Sequence, residues 1–441
     1  MKKSLLWIVL LILSISMVAA FSEVAAAEET PLPSGKLVIW VWTPNDLWLD
    51  ASLEGFKEEY PNIEWEYVMY GTGDTYTNLA LAITAGKGAP DICIIENTRL
   101  KSFIDMGGLL DITEKIQPYI DNLAKNKVAD CEKDGKYYGV PWEGGPVGMH
   151  YRRDVFEKAG LASDPETVAD LVSTYDKYYE VAKTIKEKTG SCMEQQSIAN
   201  NNGRLFEMLL WQQGLGYVDD EGKISINSPG AVTTLEFIGK MCSEGLFADT
   251  IDWTDEWYAQ FSSTGKPEEV APVASHIEAS WMGGVFKSWL APDTAGLWGL
   301  VPMPAWEEGG LRASSDTGDS FIIPGQCQNP EAAWALLEYA LLRDQSVINC
   351  YIAGGYTPSL LSSLDSFIFK MKDPFYGGQA IGTVFNDIVL NIPEANIYIT
   401  EYAEVVNLFT PEIQKYLTGQ QTAQEALDNA AAAIRAATGR Q

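Results

Sequence analysis

Five short segments of the 441-residue chain each hold an aromatic ring, a carboxyl or amide group, or both: Trp42-Thr43-Pro44-Asn45, Tyr70-Gly71, Glu96-Asn97, Pro141-Trp142-Glu143 and Glu278-Ala279-Ser280-Trp281. An indole or phenol ring offers a flat apolar face and a polar edge. An ionised carboxylate accepts two short, charge-assisted hydrogen bonds. Together they match a ligand ring with C–H groups on its faces and vicinal hydroxyls on its rim, that is, a sugar. The same groups can cage a quaternary ammonium or a polyamine. Two carboxyl groups at a suitable separation are also the machinery of glycoside hydrolysis. Glu96, Glu143 and Glu278 are the acids available for that, yet no catalytic motif surrounds them in a chain with 60 Asp and Glu. A binder is therefore expected rather than an enzyme.

Composition narrows the partners further. Lys and Arg number 31, the net charge is −29 and the pI lies near 4.4. So acidic a surface repels nucleic-acid phosphates and anionic lipid heads, and no nucleic-acid partner is expected. His150 and His276 are the only histidines, and no HExxH run occurs, so neither a metal nor any other cofactor is indicated. Both histidines read as structural. Cys93, Cys131, Cys192, Cys242, Cys327 and Cys350 are an even count without a CxxC pair. They permit disulfides without specifying any, and Cys93 within Ile92-Cys93-Ile94-Ile95 reads as a buried thiol. A heavy load of rings, 14 Trp and 20 Tyr, can fill a core or line a site. Trp253, Trp257 and Tyr258, set among Asp252, Asp255 and Glu256, read as an exposed helical face.

The elements that would carry the strand-end residues follow from periodicity. Met1-Lys2-Lys3, the apolar run Leu5 to Val18 and Ala25-Ala26-Ala27 form the three parts of a secretory signal, residues 1–27, with Ala20 as an alternative cut. No cysteine stands near either cut to take a lipid. Leu37 to Trp42 reads as a buried strand, Asp46 to Tyr60 as a helix, Ile63 to Met69 as a strand, Thr77 to Thr84 as a helix and Asp91 to Glu96 as a strand. This alternation argues for an α/β domain with a mostly parallel sheet. From Asp164 on, helices dominate: Glu166 to Lys188, Arg204 to Gln213, Pro229 to Glu244, Glu331 to Leu342 and Thr422 to Ala437. Strand-like runs punctuate them at Val273 to Ile277, Leu297 to Met303 and Ser320 to Pro324. In α/β sheets ligands sit beyond the carboxyl ends of the strands, where the ring–carboxylate segments fall.

Several segments, taken in order, are similar to a known family: Ala85-Gly86-Lys87-Gly88-Ala89-Pro90-Asp91-Ile92, Gly108-Leu109-Leu110-Asp111-Ile112-Thr113, Asp134 through Pro141-Trp142-Glu143 to Asp154, Ile277-Glu278-Ala279-Ser280-Trp281, Trp298 to Pro304, and Gly318-Asp319-Ser320 to Pro324. The chain resembles the extracellular solute-binding proteins of ABC sugar importers, the group that includes maltose-binding protein. The resemblance implies an α/β, two-lobed clamp of the type II periplasmic-binding-protein kind, with three crossings between lobes and a ligand cleft between them. It implies lobe 1 at 35–144 plus 301–324 and lobe 2 at 145–300 plus 325–441. It also implies a small carbohydrate ligand, ABC permease subunits as the membrane partner, a monomer, and a location outside the cytoplasmic membrane. One departure stands out. Glu278-Ala279 occupies the place where the family has Asn or Asp followed by Gly.

The candidate rings are then Trp42, Tyr70, Trp142, Trp211, Trp281 and Tyr356, and the candidate acceptors Asn45, Glu96, Glu143, Glu278 and Asp319. Trp40 and Trp42 stand two apart on one strand, so one of them is expected in the core. Trp211 sits in an amphipathic helix that would bury it in any case, which leaves core and site both open. Arg99 is the one arginine expected near a strand end.

Overall fold

The structure, a computed structural model, describes residues 31–200, 203–262, 272–394 and 398–441. The signal segment lies outside them. Strand β1 (Gly35–Val41) is buried at Leu37, Ile39, Trp40 and Val41, so it needs cover on both faces. The two main sheets also contain β2 (Ile63–Met69), β3 (Ile92–Glu96), β4 (Gly139–Pro141), β5 (Val147–Arg152), β6 (Ser275–Ala279), β7 (Trp298–Pro302) and β8 (Asp319–Ile322). The first sheet has the order β2-β1-β3-β8-β4. Strands β1, β2 and β3 run parallel, and β8 runs antiparallel to both β3 and β4. The second sheet, β6-β5-β7, is antiparallel throughout. The two-lobed α/β fold expected from the sequence is present, but the first sheet, expected to be mostly parallel, is mixed, and the second is antiparallel.

Directionality gathers the site. The carboxyl ends of β1, β3 and β4 and the start of β8 lie at one edge, because β8 runs against its neighbours. Asp319 stands directly across from Glu96, and Ser320 across from Pro141. In the second sheet the start of β5 lies beside the ends of β6 and β7, with Val147 opposite Ala279 and Gly148 opposite Pro302. Residues 142–146 run straight from the first edge to the second. The segment 303–318 returns beside them, with Val147 N–H donating to Ser314 O at 3.0 Å and Asp316 N–H to Gly145 O at 3.0 Å. Gly145 (φ +60°) and Gly318 (φ +79°) hold this ribbon in the left-handed region, and a Cβ at Gly145 would meet Asp316 O at 2.6 Å. Larger residues are excluded there.

Two helical expectations change. The stretch 46–60 is two pieces, α1 (Asn45–Ser52) and Phe56–Glu59, separated at Gly55 with φ +82°. The run 166–188 is likewise two helices, Pro165–Leu171 and Tyr175–Thr189, because the Thr174 side chain caps the second by accepting from Lys177 N–H.

The expected division of the chain also shifts. The resemblance implies lobe 2 for residues 325–441, but helices Pro330–Leu341 and Asp344–Gly354 lie in the first core. There Ala333, Leu336, Ala340, Val347 and Cys350 join Leu37, Ile39 and Phe321. The physical reason is the sheet's need for cover: α1 and these two helices supply it. Tyr402–Leu417 and Ala423–Thr438 do belong to the second core, through Val405, Phe409, Ala426 and Ile434. All six cysteines are free thiols, and Cys93 is fully buried as expected. Among the described residues no helix is long and apolar enough to cross a membrane.

Candidate functional site

On the first-lobe edge the carboxylates come together with few charged partners. Tyr76, from the helix Thr72–Ala85, donates its hydroxyl to Glu96 Oε2 at 2.7 Å, and its ring meets Trp42 edge-on at 6.2 Å. Asp319 lies across the ladder from Glu96, and two like charges facing each other across a sheet repel. Burial, together with Glu143 and Glu96, pushes the Asp319 carboxyl well above the usual carboxylate range. Burial likewise raises Glu143, with Asp316 and Glu278 adding to the effect and Lys127 opposing it. Glu143 is 2% exposed, and its Oε2 has no hydrogen-bond partner. An orphaned buried carboxylate oxygen is costly, and it is the strongest local sign that a donor from outside belongs there. Lys127, fully buried, donates to Ser315 Oγ at 2.9 Å and to Thr317 O. Its ammonium is wedged against the ribbon, where a Cβ on Gly318 would meet Nζ at 2.8 Å.

Beside this group, Tyr356 donates to Asn45 Oδ1 at 3.2 Å and packs edge-on against Trp48 at 4.6 Å and Trp142 at 5.0 Å. Trp142 is 2% exposed, with Phe321 at 5.1 Å on another side. It is built into the first core. Tyr70 is half-buried and lies edge-on to Trp40 at 5.1 Å. Trp40 is the buried member of its pair and Trp42 the half-buried one.

The second-lobe edge is organised around a cation. Arg204, the first residue of the helix Arg204–Trp211, donates through Nη2 to Glu278 Oε1 at 3.0 Å and to Asp316 Oδ2. Its Nε lies 3.3 Å from Asp316 Oδ1, and its guanidinium sits 5.2 Å from the centre of the Trp281 ring. Glu278 also accepts from Ala279 N–H at 2.7 Å. Burial raises the Glu278 carboxyl and Arg204 holds it back. Trp281 is half-buried where all three larger cores meet, and it stacks on Trp253 at 5.9 Å with 21° between planes. A cavity of about 30 Å³ opens among Glu194, Arg204, Asp252, Trp253, His276 and Glu278. That is water-sized.

The sequence-derived candidates therefore fall into two facing groups. Trp42, Asn45, Tyr70, Glu96, Trp142, Glu143, Asp319 and Tyr356 lie on or behind the first edge, and Glu278 and Trp281 on the second. Trp211 is 2% exposed in the second core, edge-on to Tyr398 at 5.1 Å. Sequence reasoning missed Lys127, Arg204, Asp316 and Tyr76. Arg204 follows Gly203 (φ +82°) at a helix start, and nothing local shows that it points at Glu278. Asp316 lies in Ser314-Ser315-Asp316-Thr317-Gly318, whose polar, turn-forming composition was the available signal. The expectation that Arg99 is the one arginine near a strand end is corrected by Arg204, which reaches Glu278 at the end of β6. Arg99 itself lies 5.7 Å from the Tyr76 ring centre and 5.9 Å from that of Tyr402. The exposed aromatic face expected at 253–258 is found at Trp253, 45% exposed, and corrected at Trp257, which is 2% exposed in the core with Phe261 and Phe286.

Both histidines are buried. His150 Nδ1 lies 2.8 Å from the Tyr376 hydroxyl, and burial lowers its pKa to about 3. For His276, burial lowers the pKa, but the Glu194 carboxylate 2.9 Å away more than offsets this and the pKa is raised. Among the described residues no group of His, Cys, Asp and Glu is placed to hold a metal ion.

Residues 41–346 match the family model of the bacterial extracellular solute-binding proteins. The chain belongs to this family. Its solute-binding relatives include the arabinooligosaccharide-binding protein of Bacillus subtilis (strain 168), 27% identical over 99% of this chain and 100% of that one. The lactose-binding protein of Rhizobium radiobacter is 28% identical over 91% of this chain and 93% of its own. Among solved structures, the ABC-transporter-associated binding protein of B. animalis subsp. lactis Bl-04, in complex with beta-1,6-galactobiose, superposes with a TM-score of 0.75. It is 24% identical, over 92% of this chain and 98% of that one.

Proposed function

We propose that this protein binds a neutral carbohydrate between its lobes, outside the cytoplasmic membrane, and delivers it as a monomer to the membrane subunits of an ABC importer. The observation that carries the reading is the gathering of half-buried rings and carboxylates on two edges: Trp42 with the half-buried Glu96, linked through Tyr76, and the buried Glu143 on the first, and Trp281 with the buried Glu278 on the second. The chain's family and the names of its relatives, arabinooligosaccharide- and lactose-binding, support it. Residues 1–27 act as a leader removed on export, and no cysteine near the cut takes a lipid. The chain binds and carries out no bond-breaking step.

Closure is part of the reading, because a pyranose that touches both edges binds the closed form better than the open one, and only that difference in affinity shifts the population. A thermal-shift screen over mono- and oligosaccharides should find a sugar that, at about 100 times its Kd, stabilises by about 2.7 kcal/mol. Small-angle scattering should then show a smaller radius of gyration with that sugar than without it. A panel in which only amines stabilise, with an affinity that falls steeply as salt rises, would replace the carbohydrate by a cation.

A further inference from the structure

Among the described residues only two tryptophans are exposed, Trp253 at 45% and Trp289 at 51%. Both lie on one continuous series of rings that starts at the candidate site. Trp281 stacks on Trp253 at 5.9 Å and Trp253 packs on Trp257 at 4.9 Å. Trp257 in turn meets Tyr258 at 5.6 Å, and Tyr258 meets Trp289 at 5.5 Å. The buried member, Trp257, braces the series from below, and Trp253, Tyr258 and Trp289 present ring surface along the outside. Neither exposed ring stands on regular backbone. Trp253 has φ +64°, a left-handed conformation that a bulky side chain rarely takes. Trp289 stands on a single π-helical turn, Phe286–Leu290, an insertion found often at functional sites. Strain of this kind persists where the surrounding structure demands it. An indole left in water forgoes much of the stabilisation that burial would bring, so two on one path need a partner.

We infer that Trp253, Tyr258 and Trp289 form an outer carbohydrate subsite. It holds the sugar residues of an oligosaccharide that project from the cleft past Trp281. The inference rests on the carbohydrate reading and deepens it, because it makes the ligand an oligomer. Trp253 lies nearly parallel to Trp281, and Tyr258 and Trp289 continue the series outward, so apolar ring surface extends from the site along a path a linear oligosaccharide can follow. The occupant is argued from continuity with Trp281, and the neighbouring Asp255 and Glu256 disfavour an anionic one.

The test is isothermal titration of the full mature chain with arabinooligosaccharides and galactooligosaccharides from disaccharide to hexasaccharide. The unmodified protein should bind longer members more tightly. Trp289→Ala, at an exposed position, should leave disaccharide affinity within about twofold and weaken the longest ligand by about tenfold. Trp289→Phe should restore most of that loss, and Tyr258→Ala should repeat it. Equal effects of Trp289→Ala on short and long ligands, or no effect on either, would overturn the outer subsite while leaving the carbohydrate reading in place. Failure of every sugar to bind the unmodified protein would remove that reading, and the subsite with it.

Discussion

The two facing edges carry similar numbers of carboxylates and treat them in opposite ways. On the second edge Glu278 and Asp316 share one guanidinium, with Glu278 also accepting a backbone N–H. On the first, Glu96, Asp319 and Glu143 crowd together, and the nearest buried cation, Lys127, is engaged by Ser315 and the Thr317 carbonyl. Glu143 keeps an unpartnered oxygen, and Asp319 is driven strongly towards its neutral form by burial and its acidic neighbours. The protein thus completes one edge from its own residues and leaves the other incomplete. An edge that satisfies itself orients and discriminates. An edge left short of donors gains most when a hydroxyl-rich ligand arrives.

The largest consequence should appear on the self-satisfied edge. Arg204→Met removes the shared cation and leaves two buried carboxylates uncompensated. Breaking a buried pair in this way costs about 3–5 kcal/mol, so the variant should unfold at markedly lower denaturant concentration even without ligand. A variant as stable as the parent would mean that Glu278 and Asp316 already carry protons, and the contrast between the edges would collapse. Glu143→Gln should behave in the reverse manner. It replaces an unpaired acid, already driven towards its neutral form by burial, with a neutral amide of the same size, so folding should be unharmed, while the affinity for sugar should fall by about 0.5–1.5 kcal/mol, the net worth of a hydrogen bond between neutral groups. Unchanged affinity in titration would move Glu143 from the ligand to the ribbon between the lobes.

Much of this architecture was legible in the sequence. Buried β1 and β3, and the strand-end positions of Trp42, Glu96, Trp142 and Glu143, follow from apolar runs that stop at polar residues. What sequence could not supply were contacts made between separate elements: Arg204 on Asp316 and Lys127 on Ser315 across more than a hundred residues, and Tyr76 on Glu96 across 20. Each is fixed by how two elements dock, and no local pattern encodes docking. The same reason explains the misassigned helices 330–341 and 344–354. Their apolar faces show that they are covered, and only the sheet's uncovered side decides by what. Trp142 shows the converse. Its place beside Glu143 pointed to the ligand, yet its ring is clamped by Phe321 and Tyr356 in the core.

The finest test of the contrast lies in pH, at an acid that belongs to neither edge. Glu207 is buried near Arg204, and its hydrogen bonds come from phenols: Tyr217 donates to it, and Tyr402 does so at 2.9 Å. Burial raises its pKa to about 8. A carboxyl raised above its unfolded value binds more protons in the folded state, so its stabilising contribution is complete at low pH and is lost as pH rises through the folded pKa. His150, lowered to about 3, acts in the opposite sense, but only below its unfolded pKa near 6.5. His276 is raised and works in the same direction as Glu207. Between pH 6.5 and 8, therefore, the unliganded protein should lose stability as pH rises. Glu207→Gln should remove part of that slope, about 1 kcal/mol across the window, read from chemical denaturation at several pH values. A parent protein whose stability is flat or rising there would show that Glu207 is ionised in the folded state. Phenol donors would then suffice to hold a buried charge, and the guanidinium that distinguishes the second edge would no longer be what the comparison turns on.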